Sequence, residues 1–144
     1  MNAIVEHLGP FHHVGVAVAD IEQAARFYEA AYGAKAEPDE FEDPLQQVKI
    51  RFMLVGGLRI ELLQPLTAEA SLNGLLRRGI ALYHTCHEVT DMEAALDHLR
   101  SSGVMIVSPP KPAIAFGGRR VAFTMYQGMM IELLESAAAA TEYE

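Results

Sequence analysis

An internal repeat constrains the fold of this chain more than any other feature of its sequence. Two stretches match when the chain is aligned with itself at an offset of 71 residues. The first match pairs His13 with His84, Val18 with Val89, Asp20 with Asp91, Glu22 with Glu93, and Ala24 with Ala95. The second pairs Phe52 with Phe123, Gly57 with Gly128, Ile60 with Ile131, Glu61 with Glu132, Leu62 with Leu133, and Leu63 with Leu134. Because the offset is almost half of the 144 residues, the pattern predicts two similar modules.

Each module is predicted to have a β-α-β-β-β order. The first half begins with a strand over 12–19 and a helix that starts after the N-cap Asp20 and stops at Gly33. A polar loop over 35–47 follows, and then strands over 48–55 and 58–63 joined by Gly56-Gly57. A short helix over 71–78, capped by Ser71, comes last. The second half repeats the order with a strand over 81–89, a helix over 92–100 after Asp91, a strand over 104–108, a proline-rich loop over 109–112, and strands over 120–126 and 129–134. The third strand of the first module has the weakest signal.

One module alone would leave a face of its sheet uncovered, so we expect the two to pack together and build one cavity. The predicted domain spans 11–135, with module 1 at about 11–66 and module 2 at about 81–135. An alanine-rich, acidic end, 136–144, is predicted to be a flexible tail.

Composition excludes several classes of protein. The chain has 11 Lys and Arg against 19 Asp and Glu, a formal charge of −8, which argues against nucleic-acid or anionic-membrane partners. Hydrophobic residues make up 51%, a proportion typical of a globular domain, and no apolar stretch approaches the ~20 residues of a membrane span. The N-terminus has no signal-peptide pattern, so we expect a cytoplasmic protein.

The repeat also carries residues that can bind a metal. Each half has a histidine on its first strand and a glutamate 48 residues later on its last: His13 with Glu61, and His84 with Glu132. Two imidazole nitrogens and two carboxylates form a suitable ligand set for a divalent Co, Ni, Mn, Zn or Fe ion. Both glutamates lie among leucine and isoleucine, where a carboxylate is costly unless it has a partner.

Structural interpretations of the same residues stay open. A single strand histidine is more often part of the core than a ligand, and a glutamate in Ile-Glu-Leu-Leu could face water from an antiparallel sheet. Cys86 shares a face with His84, whereas His87 points to the other side. Arg119 and Arg120 are adjacent, so at most one could point inward, and a solvated surface position is expected for them.

The local sequence resembles the vicinal oxygen chelate superfamily, which includes glyoxalase and bleomycin-resistance proteins and dioxygenases. Within it, the chain is most similar to the methylmalonyl-CoA epimerases, over about residues 11–135. The strings that carry the resemblance are His-Val-Gly-Val-Ala-Val (13–18), Ile-Glu-Leu-Leu-Gln-Pro-Leu (60–66), Tyr-His-Thr-Cys-His-Glu-Val (83–89), Gly-Gly-Arg-Arg-Val-Ala-Phe (117–123) and Met-Ile-Glu-Leu-Leu-Glu (130–135). The resemblance implies an α+β fold in which two tandem βαβββ modules form a curved mixed sheet around a metal-containing cavity.

It also implies an activity. His13, Glu61, His84 and Glu132 match the metal-ligand positions of the family, and such epimerases move the α-proton of an acyl-CoA thioester through a metal-stabilised enolate. We expect Glu132 to be the first candidate for the catalytic base and Glu61 the second. A homodimer is also expected from the resemblance.

Departures from the epimerase pattern keep other functions open. Ile50 stands where some epimerases carry a glutamate, so the second acid is not identified. Phe116 replaces a histidine that is common in epimerases. One alternative is a lactoylglutathione lyase of the glyoxalase I type, and another is a non-catalytic protein of the same fold that binds a small molecule. An extradiol dioxygenase is disfavoured, since such enzymes typically use three protein ligands.

Overall fold

The structure is a computed structural model that describes residues 7–137, and these residues form eight β-strands, three α-helices and a single 3-10 turn. The strands are β1 (Leu8–Ala17), β2 (Lys35–Asp43), β3 (Val48–Val55), β4 (Leu58–Pro65), β5 (Leu82–Val89), β6 (Met105–Pro112), β7 (Arg120–Tyr126) and β8 (Met129–Glu135). The helices are α1 (Ile21–Tyr32), α2 (Leu72–Arg77) and α3 (Met92–Ser101), and the 3-10 turn is Ile114–Phe116. Most of the predicted tail, from 138 onward, lies outside the described residues.

The chain divides into two compact units. Among the described residues, the first unit is 13–83, and the second combines 84–137 with 7–12. Strand β1 is therefore divided, with Leu8–His12 in the second unit and the rest of the strand in the first.

The first unit contains a four-stranded mixed sheet in the order β2-β3-β4-β1. Strands β1 and β4 are parallel, with Gly15 opposite Glu61, and the other neighbours are antiparallel. Helix α1 covers one face of this sheet, where Ile21 packs with Met53 and Leu62. The opposite face carries the alternate side chains of β4, including Glu61.

The second unit repeats this arrangement in the order β5-β8-β7-β6. Strands β5 and β8 are parallel, with Cys86 opposite Glu132. Helix α3 packs Met92 and Leu96 against Leu133. The α+β class and the two βαβββ modules predicted from the repeat are confirmed.

The two long helices begin in the same way. Asp20 accepts a hydrogen bond from the backbone N–H of Gln23, and Asp91 accepts one from that of Ala94, each at 3.0 Å. Both aspartates have extended backbone, as an N-cap residue requires. The predicted caps at these two positions are confirmed, whereas the predicted cap at Ser71 is wrong, because its side chain makes no capping hydrogen bond.

Two segments predicted as loops are edge strands. Residues 35–43 form β2, which pairs antiparallel with β3 and changes register between Ala36 and Glu40. Strand β6 likewise continues through 109–112 with irregular pairing to β7. Edge strands pair through their backbone and tolerate proline and charged side chains, so an apolar pattern is not required there.

Candidate metal centre

Each unit buries a histidine in the middle of its first strand. His13 on β1 is 0% exposed and His84 on β5 is 3% exposed. An aromatic ring meets each imidazole edge-to-face: Phe52 at 5.6 Å from His13, and Phe123 at 5.4 Å from His84, between ring centroids. The two phenylalanines occupy matching positions in the repeat, but the sequence did not predict their contacts with the histidines.

Each unit also buries a glutamate on its last strand. Glu61 is 2% exposed and Glu132 is 1% exposed, so a position facing water is excluded for both. Phe52 lies opposite Glu61 in the β3–β4 register, and Phe123 lies opposite Glu132 in the β7–β8 register. Opposed residues in an antiparallel pair point to the same face, which places histidine, phenylalanine and glutamate together in each unit.

The ligand atoms of each pair are equally close. Nε2 of His13 lies 3.3 Å from Oε1 of Glu61, and Nε2 of His84 lies 3.3 Å from Oε1 of Glu132. This distance is longer than the ~2.7–2.9 Å of a strong charge-assisted hydrogen bond. A buried carboxylate beside an imidazole nitrogen is stabilised further by a cation that both atoms can bind.

The donor chemistry fits a divalent transition metal. Imidazole nitrogen and carboxylate oxygen are the ligands that Zn, Mn, Co, Ni and Fe take in proteins. Each unit therefore holds a buried His–Glu pair that could bind a metal. One pair offers two donor atoms, which is half of the four or more that such ions require.

Three further positions that the sequence singles out, Ile50, Cys86 and His87, carry no carboxylate. Ile50 on β3 is 2% exposed and lies opposite Leu63, so the position where some epimerases have a glutamate is an apolar core position here. Cys86 is fully buried on the β5 face that carries His84, as the strand alternation predicted. His87 lies on the other face and contacts the ring of Phe11.

The two arginines, predicted to be solvated, are partly exposed at 21% and 26% and are paired with carboxylates of the protein. Arg119 donates to Glu88 at 3.0 Å, and Arg120 donates to Glu135 at 2.7 Å and contacts Glu93 at 2.9 Å. The hydrogen bond to Glu135 raises the pKa of Arg120 above its usual range. Both arginines therefore tie β7 to its neighbours, an ion-pair network that the local sequence does not indicate.

No helix within residues 7–137 is long and apolar enough to cross a bilayer.

Comparison with known proteins identifies the family. Residues 12–123 match the model of the glyoxalase/bleomycin resistance protein/dioxygenase superfamily. The chain is 32% identical over 131 residues to an ethylmalonyl-CoA/methylmalonyl-CoA epimerase of Cereibacter sphaeroides, covering 88% of this chain and 97% of that relative. It is 33% identical over 135 residues to the mitochondrial methylmalonyl-CoA epimerase of Bos taurus, covering 90% of this chain and 75% of the relative.

A solved structure shows the same fold. The crystal structure of methylmalonyl-CoA epimerase from Mycobacterium tuberculosis matches with a TM-score of 0.78 at 27% identity, over 99% of this chain and 95% of that one. The predicted resemblance is confirmed. This chain belongs to the glyoxalase/bleomycin resistance protein/dioxygenase superfamily, and within it is an enzyme similar to the methylmalonyl-CoA epimerases.

Proposed function

We propose that this protein is a metal-dependent epimerase that moves the α-proton of an acyl-CoA thioester, with methylmalonyl-CoA as the first candidate substrate. The names of its relatives support the reaction and the substrate class. The single observation that carries the metal dependence is the His–Glu pair with the same 3.3 Å separation in each unit, on residues that the repeat relates.

The proposed ligands are His13, Glu61, His84 and Glu132, acting together on one divalent ion. Each pair supplies one nitrogen and one oxygen, so the two pairs complete a four-donor set. All four side chains are at most 3% exposed, which lowers the competition from water for the ligand atoms. Co, Ni, Mn, Zn and Fe all accept this donor set.

A bound divalent ion would offset the negative charge that develops on the thioester oxygen when the α-proton leaves. A bare carboxylate is a weak base for so weak an acid, and this charge compensation is what makes the transfer feasible. The need to offset this charge also explains why the carboxylates lie among apolar residues, where electrostatic stabilisation is stronger than in water.

Two glutamates are available for the proton transfers. In the proposed reaction a carboxylate oxygen of Glu132 would remove the α-proton, and Glu61, protonated at the start of the cycle, would return its proton to the opposite face of the enolate carbon. Proton exchange with solvent would then restore both glutamates. Ile50 supports this assignment, because it leaves β3 without a carboxylate at the position that some epimerases use. Each glutamate then has two roles, as a ligand and as a proton carrier.

The test is exchange of the α-proton in D₂O. Methylmalonyl-CoA is incubated with protein purified without chelators or an affinity tag, and deuterium incorporation is followed by NMR while bound metal is measured by mass spectrometry. We expect exchange that requires Co(II) or Mn(II) and falls about 10²–10⁴-fold in Glu132→Gln. The matched control Glu29→Gln changes an exposed helix residue and should leave exchange unchanged.

The outcomes separate the candidate functions. Bound metal without exchange, together with turnover of the methylglyoxal–glutathione hemithioacetal, would replace the proposal with a glyoxalase I type lyase. Substoichiometric metal that is the same in wild type and Glu132→Gln would favour a non-catalytic binding protein. The homodimer and the cytoplasmic location expected from the sequence stay predictions, and analytical ultracentrifugation tests the first of them.

A further inference from the structure

The second unit contains a cavity on the face of its sheet opposite Glu132. Its volume is about 220 Å³, and it lies between β8, β7 and the end of α3. Ile131 and Leu133 line it, and because strand residues alternate, Glu132 between them points to the other face. The cavity is therefore separate from the proposed metal ligands.

The repeat shows why this space is open. The cavity residues Thr124 and Leu99 occupy the positions that Met53 and Tyr28 occupy in the first unit. Met53 is 0% exposed and, with Tyr28 packed against the same cluster, fills the corresponding space beneath α1. The second unit has a smaller side chain at both positions, so its cavity follows from these two residues and not from the fold.

The lining indicates what the cavity can hold. It is almost wholly apolar, and its three polar side chains are those of Thr124, Tyr126 and His87. The hydroxyl of Thr124 donates to the backbone oxygen of Ile131 at 3.0 Å, so its proton is already used. His87, which stands at the position of Val16 in the first unit, is only partly buried and can exchange a hydrogen bond with a ligand. The lining contains no Lys, Arg, Asp or Glu, so an ionised ligand would lose its hydration without gaining a salt bridge to any of these residues.

We propose that this cavity is a binding site for a small, neutral, apolar molecule, an alkyl or aryl group with at most one hydroxyl or carbonyl group directed at His87. Its volume exceeds the ~150 Å³ of an apolar protein cavity that binds benzene. The side chains at its mouth, Leu8, Tyr126 and Met129, are 45%, 45% and 56% exposed, so a ligand can enter from solvent and cover them. This site is additional to the proposed epimerase function.

Methyl NMR with 4-propylphenol and propylbenzene as probes tests the proposal. In the wild type we expect saturable shifts confined to the methyl groups of Leu99, Met129, Ile131 and Leu133, and a higher melting temperature with the probe present. Benzoate, a charged probe of similar size, should give no saturable shift. Wild-type shifts that do not saturate up to the solubility limit of both neutral probes would overturn the proposal.

Two variants copy the first unit into the second. Thr124→Met and Leu99→Tyr should each fill the cavity, abolish the saturable shifts and raise the melting temperature of the ligand-free protein. The control Thr124→Val keeps the volume of threonine and should keep probe binding. Equal probe shifts in wild type and in both filled variants would contradict the site.

The same spectra examine the competing occupants. Nuclear Overhauser contacts from Ile4 or Val5 to Leu99 would show that the chain itself occupies the cavity. Shifts of the cavity methyl groups that depend on protein concentration would show that a second copy occupies it. Either result would overturn the proposal. Metal content and α-proton exchange should be unchanged in Thr124→Met, since the residue lies on the opposite face from the ligands. Failure of the epimerase proposal would leave these NMR outcomes unaffected.

Discussion

Oε1 of Glu61 lies 3.3 Å from Nε2 of His13, and both side chains are almost completely removed from water. The same separation recurs in the second unit between the residues that the repeat relates to them. Neither pair resembles an exposed ion pair, whose contribution to stability is small. Their burial supports the proposed role of these residues as metal ligands.

The two histidines should contribute equally to metal binding. We expect His13→Gln and His84→Gln each to weaken metal affinity by roughly 100-fold or more, since loss of a residue that only orients a ligand already costs about 10–100-fold. Isothermal titration with Mn(II) or Co(II) measures this effect. His98→Gln, on α3, serves as the control and should bind as the wild type does. An unchanged affinity in either ligand variant would remove that histidine from the set.

The aromatic rings beside the histidines should stabilise them. Phe52→Leu and Phe123→Leu should each lower the free energy of unfolding by about 1 kcal/mol, because an edge-to-face contact is lost. Metal affinity should fall as well, since the imidazole gains freedom to rotate. Urea unfolding measures the first effect and titration the second. The control is Phe27→Leu, at a 54% exposed position. If both Phe52→Leu and Phe123→Leu bind metal as tightly as this control, the two rings only fill space.

The Arg120–Glu135 pair should matter for stability. Glu135 is almost fully buried and accepts from both the backbone and the guanidinium of Arg120. An arginine side chain is charged at any working pH, and the hydrogen bond to Glu135 raises the pKa of Arg120 further, so Glu135→Gln leaves a charge without its main partner. We expect a loss of about 2 kcal/mol, less than the ~3–5 of a fully buried pair because Arg120 is 26% exposed.

Chemical denaturation at neutral pH gives that value. The matched control is Asp97→Asn, which removes the exposed partner of Arg100 and should change stability by less than about 0.5 kcal/mol. Equal stability of the two variants would refute a structural role for the Glu135 pair.

A side chain at Gly9 would make a tight contact with β5. A Cβ there would lie 3.2 Å from the backbone oxygen of Glu88 on β5. The Glu88 backbone would have to move by a few tenths of an ångström, so we expect Gly9→Ala to destabilise the protein by about 1 kcal/mol, the low end of the cost of overpacking. Gly74→Ala is the opposite case, since a Cβ at this position in α2 meets no atom within 4 Å, and it should stabilise by up to ~1 kcal/mol through helix propensity. Melting curves of the two variants should shift in opposite directions.

The repeat made much of this structure predictable. An offset of 71 residues relates the helix caps Asp20 and Asp91, and also the His–Glu pairs, because each copy retains the residues that its local structure needs. The parallel pairing of β1 with β4 brings residues 48 positions apart close together. The sequence indicates this proximity because the same 48-residue spacing occurs in both modules; one occurrence alone would not indicate it.

The missed features depend on contacts that leave little local signal. Strand β2 is polar because it pairs at an edge through its backbone, so its side chains show no apolar alternation. The partners of Arg119 and Arg120 come from β5, β8 and α3, and charge alone does not distinguish these arginines from surface residues. The cavity beneath α3 depends on side-chain volumes, Thr124 against Met53, which hydropathy does not measure.

The division of β1 has a consequence for synthesis on the ribosome. Leu8–His12 are synthesised long before their partners in the second unit. Gly9 lies against Glu88, and the ring of His12 contacts that of Phe116. The first unit, by contrast, contains all of its own strands once Tyr83 has emerged. Residues 8–12 must therefore wait for the second half to be translated, and until then they are an unpaired strand segment that chaperones or neighbouring nascent chains can bind.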